Sequence, residues 1–443
     1  MSYNINSSLA IEINKIAETT NHKTDTIEYT MTLHTPVLDI KLPICSSIDT
    51  MRNYTTNVSD EMIAVFFMWA GDFLKDVLPY RDILELTIRT YDRITLKYES
   101  TRYRLILLNN ENNQYGSYNS KESKETLNKF GQFTISGQCL LREVEALRTK
   151  HVSGVFRSTT VKDVITSEYA EGMKDLAIEG KKIALGIDVV EPNNDAEYNH
   201  ITVPTGVMLL DLPSFLQNTI YGIYNGGIGT YVQKYNNKTT AFIFPAFDPE
   251  RFEKTTKRLM IFRSDSVKYG YIENTFKVEG DLVKLIAGKE IEHLDDGGTA
   301  LIDTGDSIAA GNPSLLTKRN VDVSGSKGVV SSENQLSGSA ISNRRDGANN
   351  TVYLGNESNL YKHRSQMVMK KGSVIKITWY YADPEIIYPG MPTCIKYADS
   401  RLGIVKLYGT VQGIFYSYNF AKKTLSAILF IMVTKPIDQE KTA

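Results

Sequence analysis

Residues 82–91 read Asp-Ile-Leu-Glu-Leu-Thr-Ile-Arg-Thr-Tyr, and apolar and polar side chains alternate along them. On an extended chain Leu84, Leu86 and Ile88 fall on one side, and charged or hydroxyl-bearing side chains fall on the other. A period of two is typical of a strand with one buried face. The same pattern returns at residues 102–108, so this part of the chain predicts neighbouring β-strands.

The alternation recurs near the C-terminus. Residues 374–381 place Ile375 and Trp379 on one side, and residues 403–420 and 423–434 predict a long antiparallel pair of strands. The composition agrees, because 26 Tyr and 16 Phe, together with many Thr, Ile and Val residues, favour pleated and half-buried surfaces.

Three further segments complete a first β block. Residues 29–42 have an extended pattern, and residues 132–148 are interpreted as one more long strand. Residues 59–79 leave two interpretations open, because residues 62–69 are apolar all round and fit either a buried strand or a buried helix.

A helical period replaces the alternation from about residue 151. Residues 160–176 form one apolar stripe that begins with a capping-box type start at Thr160. A second helix is predicted over residues 211–224, and residues 230–235 and 239–247 predict a β-hairpin. These elements indicate a small α+β unit inserted into a β-rich chain.

Residues 297–360 have a different composition. Of these 64 residues, 9 are Gly, 10 are Ser and 8 are Asn, and Tyr353 is the only aromatic. Such a segment buries little apolar surface by itself, so we interpret it as an extended loop that is ordered by its neighbours.

These patterns predict a mainly β fold with an α+β insertion. We expect two tube-type β-barrel domains, with a long loop segment between the insertion and the second barrel. The predicted units are an N-terminal arm or short helix (1–28), a first barrel (29–152), the insertion (153–285, part of it open to returning to the first barrel), the loop segment (286–371) and a second barrel (372–443).

Charge and cysteine usage exclude several classes of protein. With 50 Lys and Arg against 51 Asp and Glu, the chain lacks the basic surplus that gripping a phosphate backbone requires. Cys45, Cys139 and Cys394 are far apart, so we expect reduced thiols and no zinc site. The polar N-terminus does not match a signal peptide, and the longest apolar runs are about half the length of a membrane span.

Two catalytic signatures overlap at residues 300–311. Leu-Ile-Asp-Thr-Gly around Asp303 is similar to an aspartic-protease loop, but the chain has no second such loop to complete the carboxylate pair. Gly-Asp-Ser around Ser307 is similar to an esterase block, but the later His363 has Leu360 where an Asp is needed. We favour a turn, expect no enzymatic activity, cofactor or metal, and keep a hydrolase using Asp303 or Ser307 as an alternative.

The glycine run Gly222-x₃-Gly226-Gly227-x-Gly229 could suggest a phosphate-binding loop. It lacks the Gly-Lys-[Ser/Thr] that such a loop carries, and it follows a predicted helix instead of opening one. We interpret it as the end of a helix and the entry to a hairpin.

Several stretches taken in order resemble the baseplate hub proteins of contractile phage tails, the family that includes the trunk of the type VI secretion spike. Residues 58–73, Val-Ser-Asp-Glu-Met-Ile-Ala-Val-Phe-Phe-Met-Trp-Ala-Gly-Asp-Phe, and residues 80–88 are similar to the first tube barrel of these hubs. Residues 158–165 are similar to the helix that opens their inserted domain. The loop 388–392, Tyr-Pro-Gly-Met-Pro, and residues 403–419 are similar to their second barrel.

The resemblance implies a homotrimer in which each chain contributes two barrels. Six barrels then form a pseudo-hexameric ring that joins the six-fold tail tube to the three-fold central spike. The implied partners are the tail spike protein, the tube or tube-initiator protein and baseplate wedge proteins, with DNA passing through the lumen without specific binding. The implied location is the virion baseplate, assembled in the host cytoplasm.

Candidate subunit or partner contacts follow from the same resemblance and from short charge runs. They are Tyr388, Pro389, Gly390, Met391, Pro392, Arg344 and Arg345. The alternative within the same class is another β-rich tail component, such as a tube initiator or a wedge protein.

Overall fold

The computed structural model describes most of the chain outside residues 295–371. The described residues are 3–18, 27–42, 45–92, 97–108, 132–174, 176–178, 181–182, 185–235, 238–263, 275–287, 291–294, 308–311, 339–342, 350–354, 359, 361, 365, 372–399, 403–421 and 424–434.

The N-terminal arm contains a helix, α1 (Tyr3–Ala17). Leu9, Ile13 and Ile16 are buried, and they form a small apolar cluster with Phe262 and Ile286. Their spacing of three and four residues places them on one face of the helix. The arm is therefore packed on the sheet.

The first β block is an antiparallel array. In chain order its strands and helices are β1 (Ile27–His34), β2 (Asp39–Lys41), β3 (Cys45–Asn53), β4 (Glu61–Trp69), α2 (Ala70–Asp72), β5 (Glu85–Asp92), β6 (Lys97–Leu107), β7 (Gln132–Leu141) and α3 (Arg142–Arg148). The sheet order is β3-β4-β7-β6-β5-β1-β2.

The insertion combines helices with three small sheets. It contains β8 (His151–Thr159), α4 (Val161–Lys174), β9 (Ala177–Ile178), β10 (Lys181–Lys182), β11 (Leu185–Val189), β12 (Tyr198–Met208), α5 (Leu212–Asn218), β13 (Ile228–Tyr235), β14 (Lys238–Pro245) and α6 (Arg251–Lys254). β8 pairs with β12, and β11 joins the β13–β14 hairpin.

The remaining strands form the second β block and a small separate sheet. They are β15 (Arg258–Arg263), β16 (Phe276–Glu279), β17 (Leu282–Ala287), β18 (Ile291–Leu294), β19 (Ile308–Gly311), β20 (Ser339–Ser342), β21 (Asn350–Leu354), β22 (Gly372–Tyr380), β23 (Pro392–Asp399), β24 (Gly403–Asn419) and β25 (Thr424–Thr434). β19, β20 and β21 form the separate sheet.

The mainly β fold and its α+β insertion are as predicted, but the two expected barrels are not separate. Their strands belong to one mixed sheet of 15 strands, and this sheet is not a closed barrel within the described residues. The reason is the length of β24, which is 17 residues. Residues 403–410 of β24 pair with β23, and residues 413–419 pair with β3, so one strand belongs to both blocks.

The end of the insertion joins the second block. β15 pairs in parallel with β23 and with β17, so β15, β17 and β16 extend the main sheet beyond β23. The sequence had left open a return to the first barrel, and the strand pairing is with the second block instead.

Three local predictions needed changes. Residues 132–148 are a strand followed by the helix α3, because Val144 and Leu147 are buried at helical spacing. Residues 59–79 contain the strand β4 and then helical turns over residues 70–80. The second helix ends at Asn218, because the side-chain oxygen of Gln217 accepts hydrogen bonds from the Ile223 and Tyr224 amides and residues 219–224 turn back.

Other predictions are confirmed. The amide of Asp163 donates to Thr160 Oγ1 at 3.2 Å at the start of α4, as a capping box requires. β13 and β14 form the expected hairpin, and β24 and β25 form the expected long antiparallel pair. All three cysteines are free thiols.

No helix in the described part of the chain is long and apolar enough to cross a membrane.

We expect Ile375→Asp to prevent folding. Ile375 is 1% exposed on the inner side of β22, and a carboxylate buried there without a partner costs several kcal/mol. Thr378→Asp is the control, because Thr378 lies on the opposite side of the same strand and is only half-buried. Near-ultraviolet circular dichroism should show native packing in the control and not in Ile375→Asp. Native packing in both variants would contradict the placement of β22.

We also expect the cysteines to be unreactive in the folded chain. Burial raises the pKa of the Cys45 and Cys139 thiols to about 12 and that of Cys394 to about 11, so little thiolate is present at pH 8. A chromogenic disulfide reagent at pH 8 should label the three thiols rapidly only after denaturation in guanidinium. Rapid labelling of Cys139 before denaturation would be the opposite result.

Candidate functional site at the junction of the two β blocks

A buried arginine lies where the two β blocks meet. Arg52 is on the inner side of β3 and is 3% exposed. Its Nε and Nη2 atoms donate to the two carboxylate oxygens of Asp60, each at 3.2 Å. Nη2 also donates to Glu385 Oε1 at 3.0 Å, and Nη1 donates to the Pro384 carbonyl at 3.4 Å. The guanidinium thus joins β3 to the turn that follows β22.

Tyrosines enclose this ion pair. The guanidinium of Arg52 lies 5.0 Å from the ring centre of Tyr416 on β24, a cation–π distance. The Tyr231 hydroxyl, on β13 of the insertion, donates to Asp60 Oδ1 at 2.9 Å. Tyr54 packs edge-on against Tyr231 with ring centres 4.9 Å apart. We call Arg52, Asp60, Tyr231, Glu385 and Tyr416 the junction cluster.

The Arg52 guanidinium stays charged near neutral pH. Burial alone would lower the pKa of the Arg52 guanidinium, but Asp60 and Glu385 outweigh it and raise that pKa well above its usual value. Burial also raises the pKa of the Tyr416 and Tyr231 phenols, so both remain neutral hydrogen-bonding groups. The permanent positive charge of Arg52 therefore holds the other members of the junction cluster together.

Backbone contacts reinforce the same meeting point. The Val232 amide of β13 donates to the Val58 carbonyl at 2.8 Å, and the Tyr54 amide donates to the Gln412 carbonyl at 2.8 Å. The first block, the second block and the insertion therefore meet within a few residues of Arg52. The sequence did not lead us to predict this cluster. The available signal was the spacing of two between Thr50 and Arg52, which places an arginine on the same inner side of a strand as Thr50.

The strand β4 is apolar on both sides, but the chain buries only one of them. Met62, Ala64, Phe66 and Met68 face the core. The opposite side carries Ile63, Val65, Phe67 and Trp69, of which Ile63 is 39% and Trp69 58% exposed. We call these four residues the outer patch. Strands with apolar residues on both sides are typical of sheets that are covered on both sides.

The loop 388–392, which was predicted to be an interface, lies inside the chain. The Tyr388 hydroxyl donates to the Lys257 carbonyl at 2.6 Å, and Arg251 Nη1 donates to the Gly390 carbonyl at 3.0 Å. Gly390 has φ +68°, and a Cβ there would lie 2.0 Å from the ring of Phe244. Every residue of the loop is buried. Its role in contacts between subunits stays a prediction.

The other candidate residues lie outside the described part of the chain. This applies to Arg344 and Arg345, predicted as contacts, and to Asp303 and Ser307 of the overlapping catalytic signatures. The described residues contain no group of three His, Cys, Asp or Glu side chains that could hold a metal ion.

One hydrogen-bonded chain has the order of a nucleophile, a base and a carboxylate. His34 Nε2 lies 2.7 Å from Thr87 Oγ1, and His34 Nδ1 lies 2.6 Å from Asp39 Oδ1. Thr87 is only 6% exposed, which leaves little of its hydroxyl open to a substrate. These contacts connect β1, β2 and β5 and stabilise that edge of the sheet.

Comparisons with known proteins find similarity to solved tail structures. A 43 kDa tail protein of prophage MuSo2 from Shewanella oneidensis is 10% identical, with a TM-score of 0.46 over 92% of this chain and 97% of that one. A tail protein from Neisseria meningitidis is 9% identical, with a TM-score of 0.44 over 91% of this chain and 96% of that one. An Escherichia coli component of the type VI secretion system is 9% identical, with a TM-score of 0.42 over 91% of this chain and 77% of that one.

No family model and no curated protein matches the chain.

Arg52→Met should destabilise the whole fold. It leaves Asp60, whose side chain is 12% exposed, without its cation, and breaking a buried pair from one side costs about 3–5 kcal/mol. Lys254→Met is the control, because the Lys254–Glu250 pair, at 3.0 Å, is exposed on both sides. Denaturant unfolding should show a lower midpoint for Arg52→Met alone.

The double variant Arg52→Met/Asp60→Asn tests the cause. It removes both charges together, so it should recover part of the stability that the single variant loses. Equal midpoints for Arg52→Met and Lys254→Met would mean that the junction cluster does not stabilise the fold.

Proposed function

We propose that this chain is a structural subunit of a phage tail baseplate, and that three copies form a hub ring. The ring joins the six-fold tail tube to the three-fold central spike, and its partners are the spike, the tube or tube-initiator protein and the wedge proteins. The chain acts in the virion by its geometry and has no enzymatic activity.

The layout of the chain supports this proposal. Two β blocks flank an α+β insertion, which is the arrangement that the resemblance to hub proteins implies. The blocks share β24, Arg52 connects the two blocks, and its partner Asp60 accepts a hydrogen bond from Tyr231 of the insertion. A subunit that joins a six-fold tube to a three-fold spike needs its two β blocks at a fixed angle. A strand shared by both blocks fixes that angle.

The outer patch is the observation that carries the proposal. The outer patch is an exposed apolar surface on β4, and Trp69 within it is 58% exposed. Exposed apolar patches of this kind mark interaction sites. We assign it to contact with a second copy of the chain in the ring, where aromatic and aliphatic groups fill the centre of an interface. Charged residues stay at the margins of such contacts. A chain with 50 Lys and Arg against 51 Asp and Glu, and so almost no net charge, agrees with this arrangement.

The purified chain should have the mass of a trimer in light scattering, and Ile63→Lys/Trp69→Lys should reduce it to a folded monomer. Two desolvated lysines at the centre of a contact oppose association, whereas on the free monomer both side chains reach water. Val155→Lys is the matched control, because Val155 is 60% exposed on β8, away from the outer patch.

Two results would contradict the proposal. One is a wild-type chain that stays monomeric at high concentration and does not assemble with spike protein. The other is a double variant that remains trimeric, since the outer patch would then lie outside the contact. The hydrolase alternative is tested by esterase and peptidase assays. It requires that the wild type has such an activity and that the double variant Asp303→Ala/Ser307→Ala lacks it.

A further inference from the structure

Two polar atoms buried beside the junction cluster have no hydrogen-bond partner within the described part of the chain. They are the Tyr54 hydroxyl and Gln233 Oε1, and both side chains are 0% exposed. A hydroxyl or amide oxygen that is taken out of water without gaining a partner opposes folding. Buried polar atoms in folded proteins nearly always have a partner, either in the protein or in an ordered water molecule.

The orientation of the Gln233 amide is fixed by its nitrogen. Gln233 Nε2 donates to the Ile387 carbonyl at 3.4 Å. A carbonyl only accepts hydrogen bonds, so the nitrogen must face Ile387 and Oε1 must point elsewhere. Gln233 follows Tyr231 by two residues on β13, so both side chains lie on the side of that strand that faces the junction cluster. Oε1 is therefore an acceptor that needs a donor at the junction.

The Tyr54 hydroxyl lies close to the same charged groups. Tyr54 follows Arg52 by two residues, and its ring packs edge-on against that of Tyr231, with ring centres 4.9 Å apart. Burial raises the pKa of the Tyr54 phenol well above its usual value, although the charge of Arg52 opposes this. The hydroxyl therefore keeps its proton and can both donate and accept a hydrogen bond.

The two atoms have complementary needs. The Tyr54 hydroxyl can donate and Gln233 Oε1 can accept, yet no hydrogen bond joins them directly. A water molecule can accept from one and donate to the other. Globular proteins contain on the order of one buried water per 27 residues, and such waters typically make about three hydrogen bonds to groups that lack other partners. The ion pair of Arg52 and Asp60 also makes this part of the interior polar, which favours water over an apolar ligand.

We propose that the junction binds buried water, one molecule or a short chain, between the Tyr54 hydroxyl and Gln233 Oε1. The water accepts a hydrogen bond from Tyr54 and donates one to Gln233. It thus joins the end of β3 to β13 of the insertion and stabilises the meeting point beside the direct bond from Tyr231 to Asp60. The site is formed within one chain, so it does not depend on the proposed hub function.

Tyr54→Phe separates a hydrated hydroxyl from an unpartnered one by the sign of its effect. If water binds the hydroxyl, its removal should raise the unfolding equilibrium constant by up to about tenfold, as the loss of one buried hydrogen bond does. If the hydroxyl has no partner, its removal should stabilise the chain, because a desolvated polar group is gone. Denaturant unfolding of full-length chains at equal protein concentration measures the midpoints.

Two other tyrosines provide matched controls. Tyr388→Phe removes a buried hydroxyl that donates to the Lys257 carbonyl at 2.6 Å, so it should lower the midpoint. Tyr98→Phe removes the hydroxyl of a side chain that is 74% exposed, so it should leave the midpoint nearly unchanged. Tyr54→Phe should behave like Tyr388→Phe and not like Tyr98→Phe.

A high-resolution crystal structure of the wild-type chain is the second measurement. Solvent peaks within about 3.2 Å of the Tyr54 hydroxyl and of Gln233 Oε1, together with a lower midpoint for Tyr54→Phe, support the proposal. A midpoint equal to or above that of the wild type overturns it. A lower midpoint without solvent peaks at these atoms also overturns it, because the loss would then come from the neighbouring charges and not from bound water.

Discussion

The arrangement of this molecule depends on one constraint, the need to pair a buried guanidinium. An arginine that is 3% exposed cannot give up its charge, so anionic and aromatic partners must surround it. The direct partners come from the turn after β3, from the turn after β22 and from β24, and Tyr231 of β13 joins the cluster by donating to Asp60. Meeting the needs of one side chain therefore requires both β blocks and the insertion to be in place together.

Strands were predicted from the sequence because their signal is local. Alternation in residues 82–91 and 374–381 marks an inner and an outer side wherever the strand later pairs. The junction was not predictable in this way, since Arg52 and Glu385 are 333 positions apart. The two barrels were expected to be separate, and the reason they are not is related. β24 is long enough to pair with β23 and also with β3, and local periodicity does not show which strands a strand will pair with.

The candidate site shows the same division between local and distant information. Residues 388–392 were distinctive as a sequence, but Phe244, Lys257 and Arg251 enclose them, and no pattern near the loop indicates this. The outer patch lies in the segment whose sequence fitted either a buried strand or a buried helix. Both interpretations fitted because the segment is apolar on both sides. The ambiguity of residues 62–69 therefore already indicated the outer patch.

The shared strand also determines how the molecule responds to mechanical load. Residues 413–419 of β24 and β3 are connected by a row of backbone hydrogen bonds, and a force along the strands would load that row in shear. Bonds loaded in shear must break together, whereas bonds at a hinge would open one at a time. A pulling force along β24 and β3 is therefore resisted by all of these hydrogen bonds together.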